Sequence, residues 1–476
     1  MSQTPSTAKT RSPWTWVPSG YFAEGIPYVM VTWVAATMFK DLGHSNAQIT
    51  FWVGNITLVW SLKPFWAAFL DMLKTKKWIV LLMEFCLIGL LAAVGFALPM
   101  PSYFLISIGV LWMMAFASAT QDICMDGVYI TSLSKKKQAQ FIGVQGVFWN
   151  IGRIFSMAFI VYVASYFGQG EKSSWTIAWC VAAGVMAALA GYHLFFLPTG
   201  STPNRPQSTK EAWTTFIDAW IDFFKKPQIW GMLTFVFLFR SGEGLLLGVG
   251  HLFLQDSPLN GGTGLSLAQK GLIDGTISTS VSLAGGILGG MFISRYGLKR
   301  TLFVMALCLN VPDLTYVYLS WVARDPVTLP MQIAPAIIDS MPLLAAPNLT
   351  TLASSLPHLG HDAYLHFYPH NPVSIWTIGT LVTFEKFFYS FGFVANMLYM
   401  MQQMSPGKYH MTHYAFCTAI MNLVLWPTTA VSGLLADHFG YRTFFIIVMV
   451  ATIPSFFAAW YAPFPRSQEE PRALKS

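Results

Sequence analysis

Runs of mostly apolar residues recur along this chain, separated by short polar breaks. A helix that crosses a bilayer needs about 20 such residues. The pattern predicts spans over 15–39, 47–70, 78–98, 102–132, 139–167 and 174–197. It predicts six more over 228–254, 266–294, 301–322, 373–402, 411–436 and 443–462. Two stretches interrupt the series. Gly200 to Ser208 is linker-like, and the residues after it alternate Trp213, Phe216, Trp220, Phe223 and Phe224 with Asp218, Asp222 and Lys225. That alternation predicts an amphipathic helix lying on the inner membrane face. The stretch 323–372 is rich in proline, from Pro326 to Pro372, and reads as an outside loop with short interfacial helices.

Composition agrees with a membrane protein. Hydrophobic residues make up 54% of the chain and charged ones 10%, against about 25% charged in soluble domains. The net charge of +7 could indicate nucleic acid, but the basic residues form no single stripe. With the N-terminus inside, nineteen of the 28 Lys and Arg fall in inner loops, five outside and four within spans. This bias sets both termini in the cytoplasm and leaves the lipid bilayer, not nucleic acid, as the partner. The five cysteines lie singly in apolar runs, with no paired spacing for a disulfide framework or zinc. No cleavable signal peptide is predicted.

The two sets of six spans repeat. Span two ends at Asp71 with Lys74, Lys76 and Lys77 after it; span eight ends Gly290-Met-Phe-Ile-Ser294-Arg295-Tyr-Gly297-Leu-Lys299-Arg300. Span five ends Ala164-Ser-Tyr-Phe-Gly168 and span eleven Ala436-Asp-His-Phe-Gly440. The second pair is offset further by about the length of 323–372, so that stretch is an insertion into a repeated plan. The expected organisation is an N-terminal six-helix half (1–198), a cytoplasmic linker (199–227), a C-terminal half (228–462) holding the outside insertion 323–372, and a cytoplasmic tail (463–476). The fold class is all-α polytopic. Parallel six-helix repeats about an axis along the membrane normal are the plan of the major facilitator fold, with 12 helices in two pseudo-two-fold halves. The loop at Arg295, Lys299 and Arg300 resembles that superfamily's gating-loop signature, with Ser294 where an acid is usual; Asp71 supplies the acid in the first half.

Eleven ionisable residues within predicted spans are singled out: Glu24, Lys63, Glu84, Asp122, Asp126, Arg153, Arg240, Glu243, Asp274, Glu385 and Lys386. Each costs about 2.5–3.5 kcal/mol near a bilayer centre. Such groups line a wet cavity, pair with one another or carry a proton. Asp122 and Asp126 stand four apart on one helix face; two carboxylates that close do not both ionise cheaply, which makes them candidates for proton coupling, with structural pairing to Arg153 or Lys63 as the alternative. Lys63 precedes Pro64, which loosens the helix, and is read as binding an anionic group or holding one of these acids ionised. Glu24-Gly25 and Glu243-Gly244 recur at matching places in the two halves. Arg240 is three residues before Glu243 and on its face. Lys63, Arg153, Arg240 and Lys386 are the candidates for binding a solute's anionic group, with Glu24, Glu243 and Glu385 as their charge partners or as hydrogen-bond acceptors to the solute; Arg153 offers a planar donor fork for a carboxylate. Glu385 and Lys386, about 100° apart around a helix, are not expected to pair directly. Glu84 and Asp274 lie nearer span ends and are expected to be solvated at the interface. His358, His361, His366 and His370 fit no specific metal spacing, and Asn348-Leu-Thr is a sequon only where the host glycosylates exported surfaces.

Thr120-Gln-Asp122-Ile with Asp126 following resembles the fourth-helix signature of the AmpG-like muropeptide permeases and the related acetyl-CoA transporters. Tyr21-Phe-Ala-Glu-Gly-Ile-Pro-Tyr28 is similar to that family's first helix, and Leu62-Lys63-Pro64-Phe65-Trp66 to its second. Ser432-Gly433 through Phe439-Gly440-Tyr441 resembles its eleventh-to-twelfth turn. The resemblance spans the chain apart from 323–372. It implies a proton-coupled symporter in the cytoplasmic membrane that imports an N-acetylglucosaminyl-anhydromuramyl peptide or a related amphiphilic solute. Asp126-Gly127 is closer to the acetyl-CoA branch, so acetyl-CoA, siderophore and oligosaccharide carriers remain alternatives. The expected partners are a small-molecule solute and protons; the expected state is a monomer without cofactor or metal. A polytopic transferase is the competing class, but HExxH, GxSxG and Walker sequences are all absent.

Overall fold

The computed structural model describes residues 12–70, 75–200, 208–323 and 373–465. Asp71, the insertion from residue 324 to 372 with its four histidines and the sequon, and both chain ends lie outside the described residues.

The described residues form twelve helical spans. Span one is Pro13–Asp41; span two joins Asn46–Ile56 to Leu58–Leu70. Spans three and four are Lys77–Ala97 and Tyr103–Ser132. Span five runs from Lys135–Ile154 through a wide turn, Phe155–Ile160, to Val161–Phe167. Span six is Lys172–Phe196. Spans seven, eight and nine are Ile229–Gln255, Leu267–Tyr296 and Leu298–Val322. Span ten is Ile375–Tyr399 continued by Met400–Met404. Spans eleven and twelve form one run, His410–Tyr461, broken at Gly440, whose φ of 72° is open to glycine without a Cβ penalty.

Several spans are interrupted for local reasons. In span one, Pro27 lacks an N–H, and the helix widens to a π turn at Met30–Val34. Span seven is broken by Arg240-Ser241-Gly242. Span nine tightens to a 3-10 turn at Val311–Asp313, around Pro312. Such breaks free backbone groups and are tolerated in a membrane only where protein or water meets them. Large apolar side chains such as Phe96, Phe195, Trp230 and Trp460 point outward, as a lipid-facing surface requires.

The connecting helix Thr209–Phe224 forms, with part of its apolar surface packed on protein and Trp213, Ile217 and Ile221 left exposed. Phe216 and Phe223 are buried. Trp213 stacks on Phe69 of span two, and Phe216 meets Phe416 of span eleven edge-on.

Bonds between the first six and last six spans concentrate at one end of the molecule. Lys40 Nζ lies 2.6 Å from Asp256 Oδ2, which also accepts from the Tyr441 hydroxyl at 2.7 Å. Asn46 donates to that hydroxyl at 2.8 Å. Lys270 donates to Thr37 and Gln255, each at 2.9 Å. Lys270, at the start of span eight, is buried against span one.

Candidate functional site

Span one is pressed against span five by glycines. A Cβ at Gly25 would sit 2.5 Å from the Trp149 carbonyl oxygen, and one at Gly152 2.5 Å from that of Phe22. This close approach turns the rest of the helix-one face, Tyr21, Glu24 and Tyr28, toward spans two and four. There Tyr21 donates to Asp126 Oδ1 at 2.8 Å, Gln145 of span five donates to the same oxygen at 3.4 Å, and Lys63 is ion-paired with Asp122. Carboxylate oxygens of Glu24, Asp122 and Asp126 lie within 4.8 Å of one another. Glu24 is buried, and its Oε2 has no hydrogen-bond partner among the described residues. Three carboxyl groups therefore share one lysine.

A second cluster forms in the last six spans. The break in span seven lets Arg240 fold onto Glu243: Nε donates to Oε2 at 2.5 Å, and Nη2 pairs with Oε1. The Tyr389 hydroxyl of span ten donates to the same Glu243 oxygen, and the guanidinium lies 4.8 Å over the Phe393 ring. Nε and Nη2 are thus committed within the protein, while Nη1 is buried without a partner among the described residues. Lys386 Nζ lies 2.9 Å from Glu385 Oε2. This corrects the expectation that these neighbours do not pair: the Cα positions diverge, but the four-carbon lysine stem is long enough to return to the adjacent carboxylate in a site where neither charge has water.

Arg153 stands apart. Among the described residues it meets no carboxylate; Nε approaches Met157 Sδ at 3.5 Å and the guanidinium lies 6.0 Å from the Trp33 ring. Among the described residues its two terminal nitrogens make no hydrogen bond, which leaves them available to a ligand. Tyr28 is within electrostatic reach of Arg153, Lys63, Asp122 and Arg240, charges from both halves. Beside it an open cavity of about 130 Å³ is walled by spans one, two, seven and eleven. Tyr28 and Trp60 meet edge-on at 4.9 Å, and Trp33 lies 4.3 Å from the ring of His251. The remaining polar lining is hydroxyl and amide, with Thr32, Thr50, Thr429 and Asn422.

Glu84 and Asp274 correct the sequence reading in the other direction. Neither is solvated at an interface: both are buried. Glu84 Oε1 takes His193 Nδ1 at 2.7 Å and Gln121 Nε2 at 3.2 Å. Asp274 sits in the π turn of span eight with Oδ2 unpartnered. Arg295, Lys299 and Arg300 are exposed around Gly297. The sequence reading omits Tyr21, Tyr28, Tyr389, Gln145, His251 and Asp313. Tyr21 and Tyr28 are one turn either side of Glu24, and Tyr389 one turn after Lys386, a spacing that could have marked them.

The sequence profile of the Major Facilitator Superfamily matches residues 19–365. A Rickettsia conorii protein carrying the transporter name AmpG 4 is 21% identical over 459 residues, covering 92% of this chain and 93% of its own. The anhydromuropeptide permease of Escherichia coli K12 is 21% identical over 309 residues, covering 63% of this chain and 59% of its own. Among solved structures, the nucleoside transporter NupG aligns with a TM-score of 0.64 at 14% identity, covering 93% of this chain and 97% of its own. A bacterial homologue of the human lysosomal transporter Spinster, in an inward-facing and unoccupied conformation, aligns with a TM-score of 0.63 at 14% identity, covering 96% and 98%. The relatives' names bear out the AmpG-like resemblance, and the structural neighbours share the all-helical fold. This chain, a multi-pass membrane transporter and not an enzyme, belongs to the Major Facilitator Superfamily.

Proposed function

We propose that the chain is a proton-coupled symporter that imports a muropeptide, or a related amphiphilic, anionic sugar-containing solute, by rocking of its two halves, 1–198 and 228–462. The observation that carries the reading is the cluster of Glu24, Asp122 and Asp126 around the single cation Lys63. One lysine neutralises one carboxylate. Two more carboxylates within 4.8 Å cannot both stay ionised in a low dielectric without a large penalty. A proton on Asp126 or Glu24 relieves that penalty, and its loss restores it. Asp126 faces Tyr21 and Gln145, whose donors hold the ionised form; Glu24 faces the cluster with an oxygen still unpartnered.

The solute's carboxylate meets Arg153, and its sugar rings lie on Tyr28, Trp33 and Trp60, since aromatic faces suit the apolar side of a pyranose. Lys63, Arg240 and Lys386 tune this field through the acids they already hold, Asp122, Glu243 and Glu385. The bonded end at Lys40, Asp256 and Tyr441 is the closed outer gate, so the molecule faces inward. The loops at Asp71 and at Arg295, Lys299 and Arg300 form the inner gate. The carrier acts as a monomer in the cytoplasmic membrane with both termini inside.

The test is uptake into vesicles under an imposed pH gradient, with muropeptide, acetyl-CoA, a siderophore and a neutral oligosaccharide compared side by side. Accumulation of the muropeptide above equilibrium, abolished by a protonophore, supports the reading. Accumulation of another solute alone, or indifference to the gradient, counts against it.

A further inference from the structure

The acid cluster of the first half has a counterpart in the second that the sequence reading passes over. Span nine is broken at Val311–Asp313 because Pro312 has no N–H. The break sets Asp313 at the wall of a small cavity between spans seven, nine and ten, about 10 Å³, with room for about one water. Asp313 is only 4% exposed, yet among the described residues it makes no hydrogen bond and no ion pair. The charged groups around it are Glu243 of span seven with Glu385 and Lys386 of span ten. Asp274 of span eight acts on Glu385 and Lys386 from behind. Neither base is free: Arg240 is forked onto Glu243, and Lys386 is held by Glu385. The nearby amide of Asn310 is turned away, donating to the Ala306 carbonyl and to Ser455.

We propose that Asp313 is a second proton-binding site, in the second half of the carrier, with Glu385 as the alternative acceptor of the same proton. A buried carboxylate without a base or a donor is the costliest group a protein can hold, and it is neutralised by a proton instead. A metal cation is disfavoured in this space by the ammonium of Lys386, whereas a proton needs no room. Glu385 is fully buried, and neither of its carboxylate oxygens makes a hydrogen bond among the described residues, Oε2 meeting Lys386 only as an ion pair. Asp313 and Glu385 both line the cavity and act on each other electrostatically, which makes Glu385 the second carboxylate open to the same proton. Only a proton moves; no bond to the solute forms or breaks. Its consequence for transport, two protons for each solute instead of one, rests on the carrier reading above.

The site itself is tested without any solute, by infrared spectroscopy of the full chain in lipid vesicles. A protonated carboxyl has a carbonyl band that an ionised one lacks. Asp313→Asn is expected to remove one such band from the neutral-pH spectrum, and Asp313→Glu to keep it at a shifted frequency. A spectrum unchanged by Asp313→Asn overturns the proposal. Should that variant fail to fold, wild type against Asp313→Glu decides, since identical spectra also overturn it. In vesicles taking up muropeptide, the proton-to-solute ratio falls by one in Asp313→Asn. Absence of muropeptide uptake by the wild type counts against the carrier reading and leaves the infrared result standing.

Discussion

Lys40 and Asp256, 216 residues apart, meet at 2.6 Å, and Tyr441 donates to the same carboxylate oxygen at 2.7 Å. Three spans are thereby tied at one carboxylate, with Asn46 of a fourth bonded to the tyrosine. A closed gate built on one acid should loosen when that acid is neutralised.

Asp256→Asn keeps an acceptor for Tyr441 but removes the charge that Lys40 requires. A hydrogen bond to a charged group contributes about 1.5–3 kcal/mol, so local opening becomes roughly ten- to a hundredfold more frequent. Hydrogen exchange should show this as faster exchange at the turn after span seven, with the amides of span three unchanged.

Arg240 and Glu243 are both buried and paired through two bonds. Removing one partner strands the other, at a cost of about 3–5 kcal/mol. Glu243→Leu alone therefore lowers the melting temperature sharply, whereas Arg240→Met together with Glu243→Leu recovers most of the loss. A thermal-shift double-mutant cycle reads this non-additivity directly.

Arg153 makes no ion pair among the described residues, so its replacement leaves stability nearly unchanged, within about 0.5 kcal/mol. If its fork receives the solute's carboxylate, Arg153→Met raises KM for a muropeptide about ten- to a hundredfold. Arg153→Lys recovers only part of that, since an ammonium lacks the planar fork. Uptake kinetics of the three proteins at equal abundance separate these outcomes.

Much of the fold was legible because span length and hydropathy are set by the bilayer itself. The predicted 47–70 and 174–197 are observed as Asn46 to Leu70 and Lys172–Phe196. Depth and partners were less legible. Glu84 reads as an end residue until His193, 109 residues later, is brought against it. Glu385 and Lys386 read as diverging because helix geometry fixes Cα directions and not where a long side chain bends. Tyr21 and Tyr28 are hidden among the aromatics of an aromatic-rich chain, and only the glycine contact of spans one and five shows which face they share. Asp313 lies inside the ninth predicted span and meets the same criterion as the eleven residues singled out; a buried acid beside a proline was there to be read.

The coupling assignment is tested most directly by Asp126→Asn in vesicles, comparing muropeptide accumulation driven by a pH gradient with exchange of labelled for unlabelled muropeptide at equal pH. The account predicts that accumulation is lost while exchange persists, because the amide can still accept from Tyr21 but cannot take up and release the proton. Accumulation equal to that of the wild type would contradict it.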